Sequence, residues 1–240
     1  MKILIASALL LCSSGLLGQP KDFFSDAQAF FEGYVSSGLI NYDSLKNNPA
    51  PLDGLARQIG NYRIAGKTLD EQKAFYTNAY NLLVIKQIVE NYPTEGPMNI
   101  PGFFNQKTYR VAGRNVTLDE LEKEILFAAF PDPRLHFVLV CAAIGCPPIA
   151  DYAYMPDSLE TQIETKTREV LNISWYVRIY KDRTLVSKVF DWYLPDFVND
   201  AGSVKTFINK YRIIQIPDNH DIATYDYDWS LNDSKNAFRY

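Results

Sequence analysis

The sequence predicts an α+β domain, and three observations carry that expectation. Thr68-Leu69-Asp70-Glu71 and Thr117-Leu118-Asp119-Glu120 are both capping boxes, so each opens a helix. Two hairpin signatures stand apart from them: runs 107–111 and 114–118 across Ala112-Gly113, and runs 174–180 and 184–189 across Lys181-Asp182-Arg183. Helices dominate the first half and hairpins the second, without the regular alternation of βαβ winding. The expected architecture is a helical N-terminal half packed on an antiparallel sheet built from C-terminal hairpins.

Taken in order, residues 1–18 read as a secretory signal: Lys2, an apolar run 3–11, then small residues to a cleavage site at Leu16-Leu17-Gly18. Cys12 does not fit a lipidation site, because Leu11 stands where a small residue is wanted. Residues 19–240 are then expected to form one domain, in the periplasm or secreted. Residues 22–35 place Phe23, Phe24, Ala27, Phe30, Phe31 and Tyr34 at helical spacing. The Thr68 helix runs to Tyr92, where Pro93 stops it, and the Thr117 helix ends before Pro131. Asp157-Ser158-Leu159-Glu160 starts a polar helix to about Leu171. Strands are expected over 135–141, 213–216 and 223–229, in addition to the hairpins. The Pro/Gly-rich run 93–102 is a surface loop.

Composition narrows the class of partner. The 240 residues carry 24 basic and 28 acidic side chains, a net charge of −4, with no Lys/Arg run to track phosphates, so nucleic acid is excluded as a partner. No stretch after the first approaches the ~20 apolar residues of a membrane span. Tyrosine (16) outnumbers phenylalanine (14), so many rings need both an apolar contact and a hydrogen-bond partner. That composition suits a tyrosine-rich core rim, and equally a groove for a peptide or glycan.

The Thr68 helix has a polar side, with Lys73, Lys86, Gln87, Glu90 and Asn91, and an apolar side that includes Phe75, Leu82, Ile85, Ile88 and Val89. Asn78 and Asn81 fall in the middle of the apolar side. A buried amide without partners costs a few kcal/mol, so both must be hydrogen-bonded. They either tie down a neighbouring segment or line a site, orienting an imidazole or donating to an oxyanion.

Both remaining cysteines and one of the two histidines fall in the single run 136–148. Read as a strand, His136, Val138 and Val140 share one face and Phe137, Leu139 and Cys141 the other. Cys146 lies beyond, where Gly145 and Pro147-Pro148 favour a turn. Extended chain would hold the two sulfurs ~16 Å apart, so a Cys141–Cys146 disulfide requires a sharp bend between them. Disulfide, inert buried thiols and a nucleophile are all consistent with the run. A metal site lacks a fourth ligand at sensible spacing, and no cofactor motif is present. Near the C-terminus, Tyr225, Tyr227 and Trp229 alternate with Asp226, Asp228 and Ser230, an acidic face from which Asp228 could orient His136. His220 reads as a loop histidine.

Several phrases resemble one known family: Ala74-Phe75-Tyr76-Thr77-Asn78-Ala79-Tyr80-Asn81, the segment from Asp132-Pro133-Arg134 to Cys141, Gly145-Cys146-Pro147-Pro148, Phe190-Asp191-Trp192-Tyr193, and Tyr225 to Asn232. Together they are similar to the bacterial, exported branch of the domain of unknown function 547. The resemblance implies one α+β domain, often exported, without an agreed activity. It makes Cys141 the candidate for a family-wide role and a disulfide to Cys146 a local addition. Gly145 and Lys123 depart from the residues common in relatives. A weaker analogy is to the papain and transglutaminase architecture, in which a nucleophilic cysteine starts the central helix; here that helix starts at Thr68. Two functions are therefore carried forward. One is a thiol-dependent hydrolase or acyltransferase with Cys141 or Cys146 as nucleophile, His136 as base, and Asn78, Asn81 or Asp228 as orienter. The other is a non-catalytic peptide- or glycan-binding module stapled by the disulfide.

Overall fold

The computed structural model describes residues 22–239, so the signal segment 1–18 and Cys12 lie outside the described residues. The chain is α+β, with most of its ordered backbone helical. Helix α1 (Phe23–Tyr34) buries Phe23, Phe24, Ala27, Phe30 and Phe31, the spacing expected of one amphipathic face. A two-residue hairpin, β1 (Val35–Ser36) and β2 (Leu39–Ile40), turns the chain into α2 (Tyr42–Asn47) and α3 (Ala50–Asn61).

The central element is α4 (Leu69–Asn91). Its capping box is complete: Glu71 N–H donates to Thr68 Oγ1 and Thr68 N–H to the Glu71 carboxylate, both at 3.1 Å. It packs against α2 and α3, and the polar side expected from the sequence is narrower than the pattern suggested. Gln87 is buried, donating to the Phe103 carbonyl at 2.7 Å and accepting from the Tyr109 hydroxyl at 3.2 Å. Hydrogen bonding lets a polar side chain stay inside where periodicity alone would have put it in solvent.

Strands β3 (Tyr109–Val111) and β4 (Arg114–Val116) pair antiparallel. Ala112 and Gly113 both have positive φ, 46° and 84°, the mirror-image turn that matches strand twist. The second capping box also forms, with Thr117 N–H to Glu120 at 2.7 Å and Glu120 N–H to Thr117 Oγ1 at 3.2 Å. It opens a wide-turned π-helix over Glu120–Phe127 instead of an ordinary α-helix.

The strand expected over 135–141 is not there. Asp132 Oδ1 accepts from Arg134 N–H at 3.0 Å, Pro133 occupies the first helical position, and Pro133–Phe137 forms a 3-10 helix. The face assignment that rested on a strand therefore falls. Leu135 and Val138 enter one hydrophobic core, shared with α1 to α4, while Phe137 enters a second one. That second core is built from α5 (Leu159–Asn172), α6 (Val189–Trp192), α7 (Leu194–Ala201), α8 (Val204–Tyr211) and a small sheet.

That sheet contains the β5 (Val177–Ile179) and β6 (Arg183–Val186) hairpin, but it is not wholly antiparallel. β7 (Asp221–Thr224) pairs parallel with β6, because α6 to α8 carry the chain back before it re-enters. Two other expected strands are corrected. Residues 213–216 form none: Ile213 and Ile214 are exposed, and Asn209 brackets Ile216 through its N–H at 2.8 Å and carbonyl at 3.1 Å. The run 223–229 contributes only its first residues to β7. Among the described residues no helix is long and apolar enough to cross a membrane.

Candidate active site

The seam between the two cores holds a cavity of about 510 Å³, lined in part by Cys141, Cys146, Tyr227, Glu122, Tyr193 and His136. Both candidate sulfurs and the candidate imidazole thus open onto one space, although they do not form one hydrogen-bonded chain.

The cysteine segment is positioned by α4. Asn81 donates to the Val138 carbonyl at 2.9 Å and accepts from Val140 N–H at 3.0 Å, acting as a backbone surrogate for a segment that has no strand partner. Beyond Cys141 the chain bends sharply. Ala142 has φ 62°, the left-handed region that costs a non-glycine residue about 1–2 kcal/mol, and Cys146 N–H closes a turn onto the Ala143 carbonyl at 3.1 Å. The bend brings the two sulfurs to 2.7 Å, both as free thiols. The sulfurs are not at bonding distance, while the turn that the disulfide weighed from sequence needs is present.

The turn also differentiates the two thiols. Burial pushes Cys146 up, but the Cys141 thiol, the Tyr227 hydroxyl and the N–H groups of Cys141 and Ala143 outweigh it and hold Cys146 below the ordinary thiol range. The Cys141 N–H lies 2.8 Å from that sulfur. Burial pushes Cys141 up, and the hydrogen bond and negative charge of Cys146 push it further. The pair therefore favours a thiolate on Cys146 and a proton on Cys141. Tyr227 completes the floor, its hydroxyl 3.1 Å from Cys141 Sγ.

His136 lies in the wall, its ring between Phe127, with centroids 4.4 Å apart, and Tyr193, at 3.9 Å. Its Nε2 is 2.8 Å from Asp196 Oδ2. Burial lowers the imidazole to about 4, outweighing the attraction of Asp196, so at neutral pH this contact is a hydrogen bond from neutral imidazole to carboxylate. The sign of the stability effect follows. Above pH ~6.5 neither state protonates His136. Between ~6.5 and ~4 only the unfolded chain does, so stability falls with falling pH through that window. Between pH 7 and 4.5 the expected loss is on the order of 2–3 kcal/mol more for wild type than for His136→Gln, read from urea midpoints. Equal slopes in the two proteins would contradict it. Asp132, held at about 2 by Arg134 and Lys73 against the opposing cost of burial, loses its contribution only as pH falls below ~3.8.

Glu122, at 7% exposure, projects from the π-helix to the cavity and accepts from the Tyr193 hydroxyl at 2.9 Å, with the Tyr80 hydroxyl also bonded to it. Burial raises its carboxyl despite these two donors. At the mouth, Trp192 is 45% exposed and stacks on Trp229 at 5.6 Å, with Tyr227 packed against both.

The other residues singled out from sequence lie elsewhere. Asn78 donates to the Ala74 and Tyr154 carbonyls and accepts from Tyr154 N–H at 2.9 Å, so its amide is occupied in tying α4 to the segment ahead of α5. The carboxylate that holds His136 is Asp196, not Asp228. The Asp228 side chain accepts from Ser230 N–H at 2.9 Å in its own exposed turn. His220 is buried 3.1 Å from Thr184 Oγ1, tying β7's start to β6. Sequence reading missed Glu122, Tyr193, Asp196 and the contact of Tyr227 with the sulfurs. The available signal was an acidic residue inside the apolar pattern of the second capped helix. Among the described residues no cluster of three or more His, Cys, Asp or Glu is arranged to hold a metal.

The model of a family described as "Protein of unknown function, DUF547" matches residues 65–171, a stretch that contains α4, the π-helix, His136 and both cysteines. Tyr193 and Tyr227 complete the cavity from outside that stretch, and Asp196 completes the hydrogen bond of His136 from there too. No curated protein and no solved structure matches the chain.

Proposed function

For a chain whose residues 65–171 belong to the DUF547 family, we propose thiol–disulfide exchange at Cys141 and Cys146, in an exported protein. The observation that carries this reading is the 2.7 Å approach of two free thiols at the floor of a cavity. Each step asks for one of these properties. The Cys146 thiolate attacks a substrate disulfide, forming a mixed disulfide and expelling one substrate thiolate. Cys141 gives up its proton and attacks Cys146 Sγ, closing the Cys141–Cys146 disulfide and expelling the second substrate thiolate. Two electrons pass from the protein dithiol to the substrate disulfide, and a substrate dithiol reverses the sequence. Export, the expectation drawn from residues 1–18, would place such a pair where disulfides persist.

Acyl transfer is the second reading, favoured by His136, which lines the same cavity and is held by Asp196. Neither sulfur hydrogen-bonds to His136, so there the imidazole would activate water on a thioester and not the thiol itself. The two readings part on Cys141. Equilibrate the protein in graded mixtures of reduced and oxidised dithiothreitol, alkylate, and count modified cysteines by mass spectrometry. Exchange predicts one two-electron transition, and at least a 100-fold slower reduction of a model peptide disulfide in both Cys141→Ser and Cys146→Ser. Thioester turnover that survives Cys141→Ser would favour acyl transfer instead. A pair that neither oxidises nor alkylates while folded would end both.

A further inference from the structure

The mouth of the cavity takes no part in the exchange steps above, yet two of its large apolar side chains stand open to water. Trp192, the last residue of α6, is 45% exposed, and its ring meets Tyr227 at 4.8 Å and Trp229 at 5.6 Å. Tyr227 and Trp229 pack on each other at 4.7 Å. This cluster reaches the reacting atoms by direct contact, because the Tyr227 hydroxyl lies 3.1 Å from Cys141 Sγ. The loop after α4 adds Met98, 60% exposed, with Ile100 and Phe104, to the same lining. Leu231 N–H donates to the Glu95 carbonyl at 2.7 Å, so this loop and the Trp229 segment are fastened to each other. Open apolar surface continuous with a cavity marks a place that receives the apolar part of a ligand.

Charge narrows that ligand. The lining has two carboxyl residues, Asp119 and Glu122, and one lysine, Lys123, whose ammonium is 3.0 Å from Asp119. Among the described residues no arginine lines it. A small anionic disulfide such as that of glutathione therefore finds no free cation for its carboxylates. Ring geometry narrows it again. Tyr227 stands at 54° and 53° to the two indoles, which makes a notch for one side chain and not a flat shelf on which a sugar would lie. We infer that Trp192, Trp229 and Met98 form a specificity-determining subsite that seats the apolar or aromatic side chain flanking a substrate cysteine, so that the substrate is a peptide disulfide with an apolar neighbour. This rests on the exchange reading and adds to it the identity of the disulfide. Because Tyr227 belongs to the cluster and also touches Cys141, a side chain held there brings its adjoining disulfide to the thiols.

Three symmetric disulfides test it, made from the capped dipeptides cysteinyl-phenylalanine, cysteinyl-alanine and cysteinyl-glutamate. The reduced protein is mixed with each at neutral pH, and its rate is divided by that of dithiothreitol on the same compound, which removes intrinsic reactivity. Wild type should favour the phenylalanine compound over the alanine one by ~10- to 100-fold, the range for burying one aromatic side chain, and the glutamate compound should be slowest. Trp192→Ala should cut the phenylalanine-to-alanine ratio about 5-fold or more, and Met98→Ala about 2-fold. A structural fault would slow all three compounds alike, so the ratio is the readout, and Met98→Ala carries the test if Trp192→Ala fails to fold. Capped seryl-phenylalanine, which has no sulfur, should inhibit competitively. Inhibition by a chitin oligosaccharide in its place would make the mouth a sugar site and overturn the inference. Equal normalised rates in wild type would overturn the subsite and leave exchange standing. No reduction of any compound would overturn the exchange reading and the subsite with it.

Discussion

Asn81→Leu is expected to lower unfolding stability by roughly 2–6 kcal/mol, a large part of what a domain of this size has to lose. The side chain is 2% exposed, and its two bonds go to the backbone of Val138 and Val140. Leucine fills nearly the same volume, so the cost is not a cavity but one carbonyl and one N–H left buried without partners, at ~1–3 kcal/mol each. The consequence is local as well as global, because Val140 leads into Cys141 and the strained Ala142. Released from α4, that segment should open more often than the rest of the fold. Urea denaturation gives the global loss. Alkylation of Cys141 under native conditions gives the local one and should be faster than in wild type. Asn78→Leu is the comparison. It should destabilise comparably, since Asn78 bonds both backbone groups of Tyr154, yet leave Cys141 alkylation near wild type. If Asn81→Leu kept the wild-type midpoint, the amide would not be holding the cysteine segment.

How far the sequence disclosed this molecule depended on whether the deciding interaction was local. Thr68 and Glu71 are three residues apart and bond each other, so the start of α4 was readable without knowing what surrounds it. The Ala112-Gly113 turn was readable for the same reason. Asn78 and Asn81 were visible as amides on an apolar face, and partners were required of them although the partners' identities were not. The run around His136 failed because apolar residues buried on every side carry no period, so a strand and a buried turn look alike. Asp132-Pro133 was the local cue that pointed the other way. The parallel entry of β7 depends on three intervening helices, and no short pattern encodes it.

The site divides along the same line. Cys141, Cys146 and His136 were found because their chemistry concentrates in thirteen residues. Their partners were not, because Glu122, Tyr193 with Asp196, and Tyr227 arrive from three separate stretches of chain. Tyr227 lies 86 positions from the sulfur it touches, and Asp196 lies 60 from His136. Alternation in 225–230 identified an aromatic face, but the acidic face drew attention to Asp228, which turns out to cap its own turn.

Gly96→Ala should cost about 3 kcal/mol or more, although the residue lies in no helix or strand. Its φ of 170° is extended backbone that alanine adopts freely, so the penalty is one of space. A Cβ there would come 2.1 Å from the Trp229 carbonyl oxygen, and backbone cannot rotate aside as a side chain could. The segment around Trp229 has little room to retreat. On one side Leu231 N–H bonds the Glu95 carbonyl at 2.7 Å. On the other, Ile144 and Gly145 N–H bond the Ser230 and Asp228 carbonyls, each at 2.8 Å. Gly145 is needed there in its own right, since a Cβ would stand 2.9 Å from Asp228 N. The two glycines thus let the segment 95–96, the turn at Ile144-Gly145 and the segment 228–231 approach closely, and that approach holds the Tyr227 hydroxyl 3.1 Å from Cys141. Gly96→Ala should therefore lower the urea midpoint and change the pH dependence of Cys141 alkylation, because the shifted segment withdraws Tyr227. Gly145→Ala, with the milder clash, should cost about 1–2 kcal/mol and act in the same direction. A Gly96→Ala protein with an unaltered midpoint would show that residues 228–231 do not run against Gly96, and that Tyr227 reaches the thiols by another path.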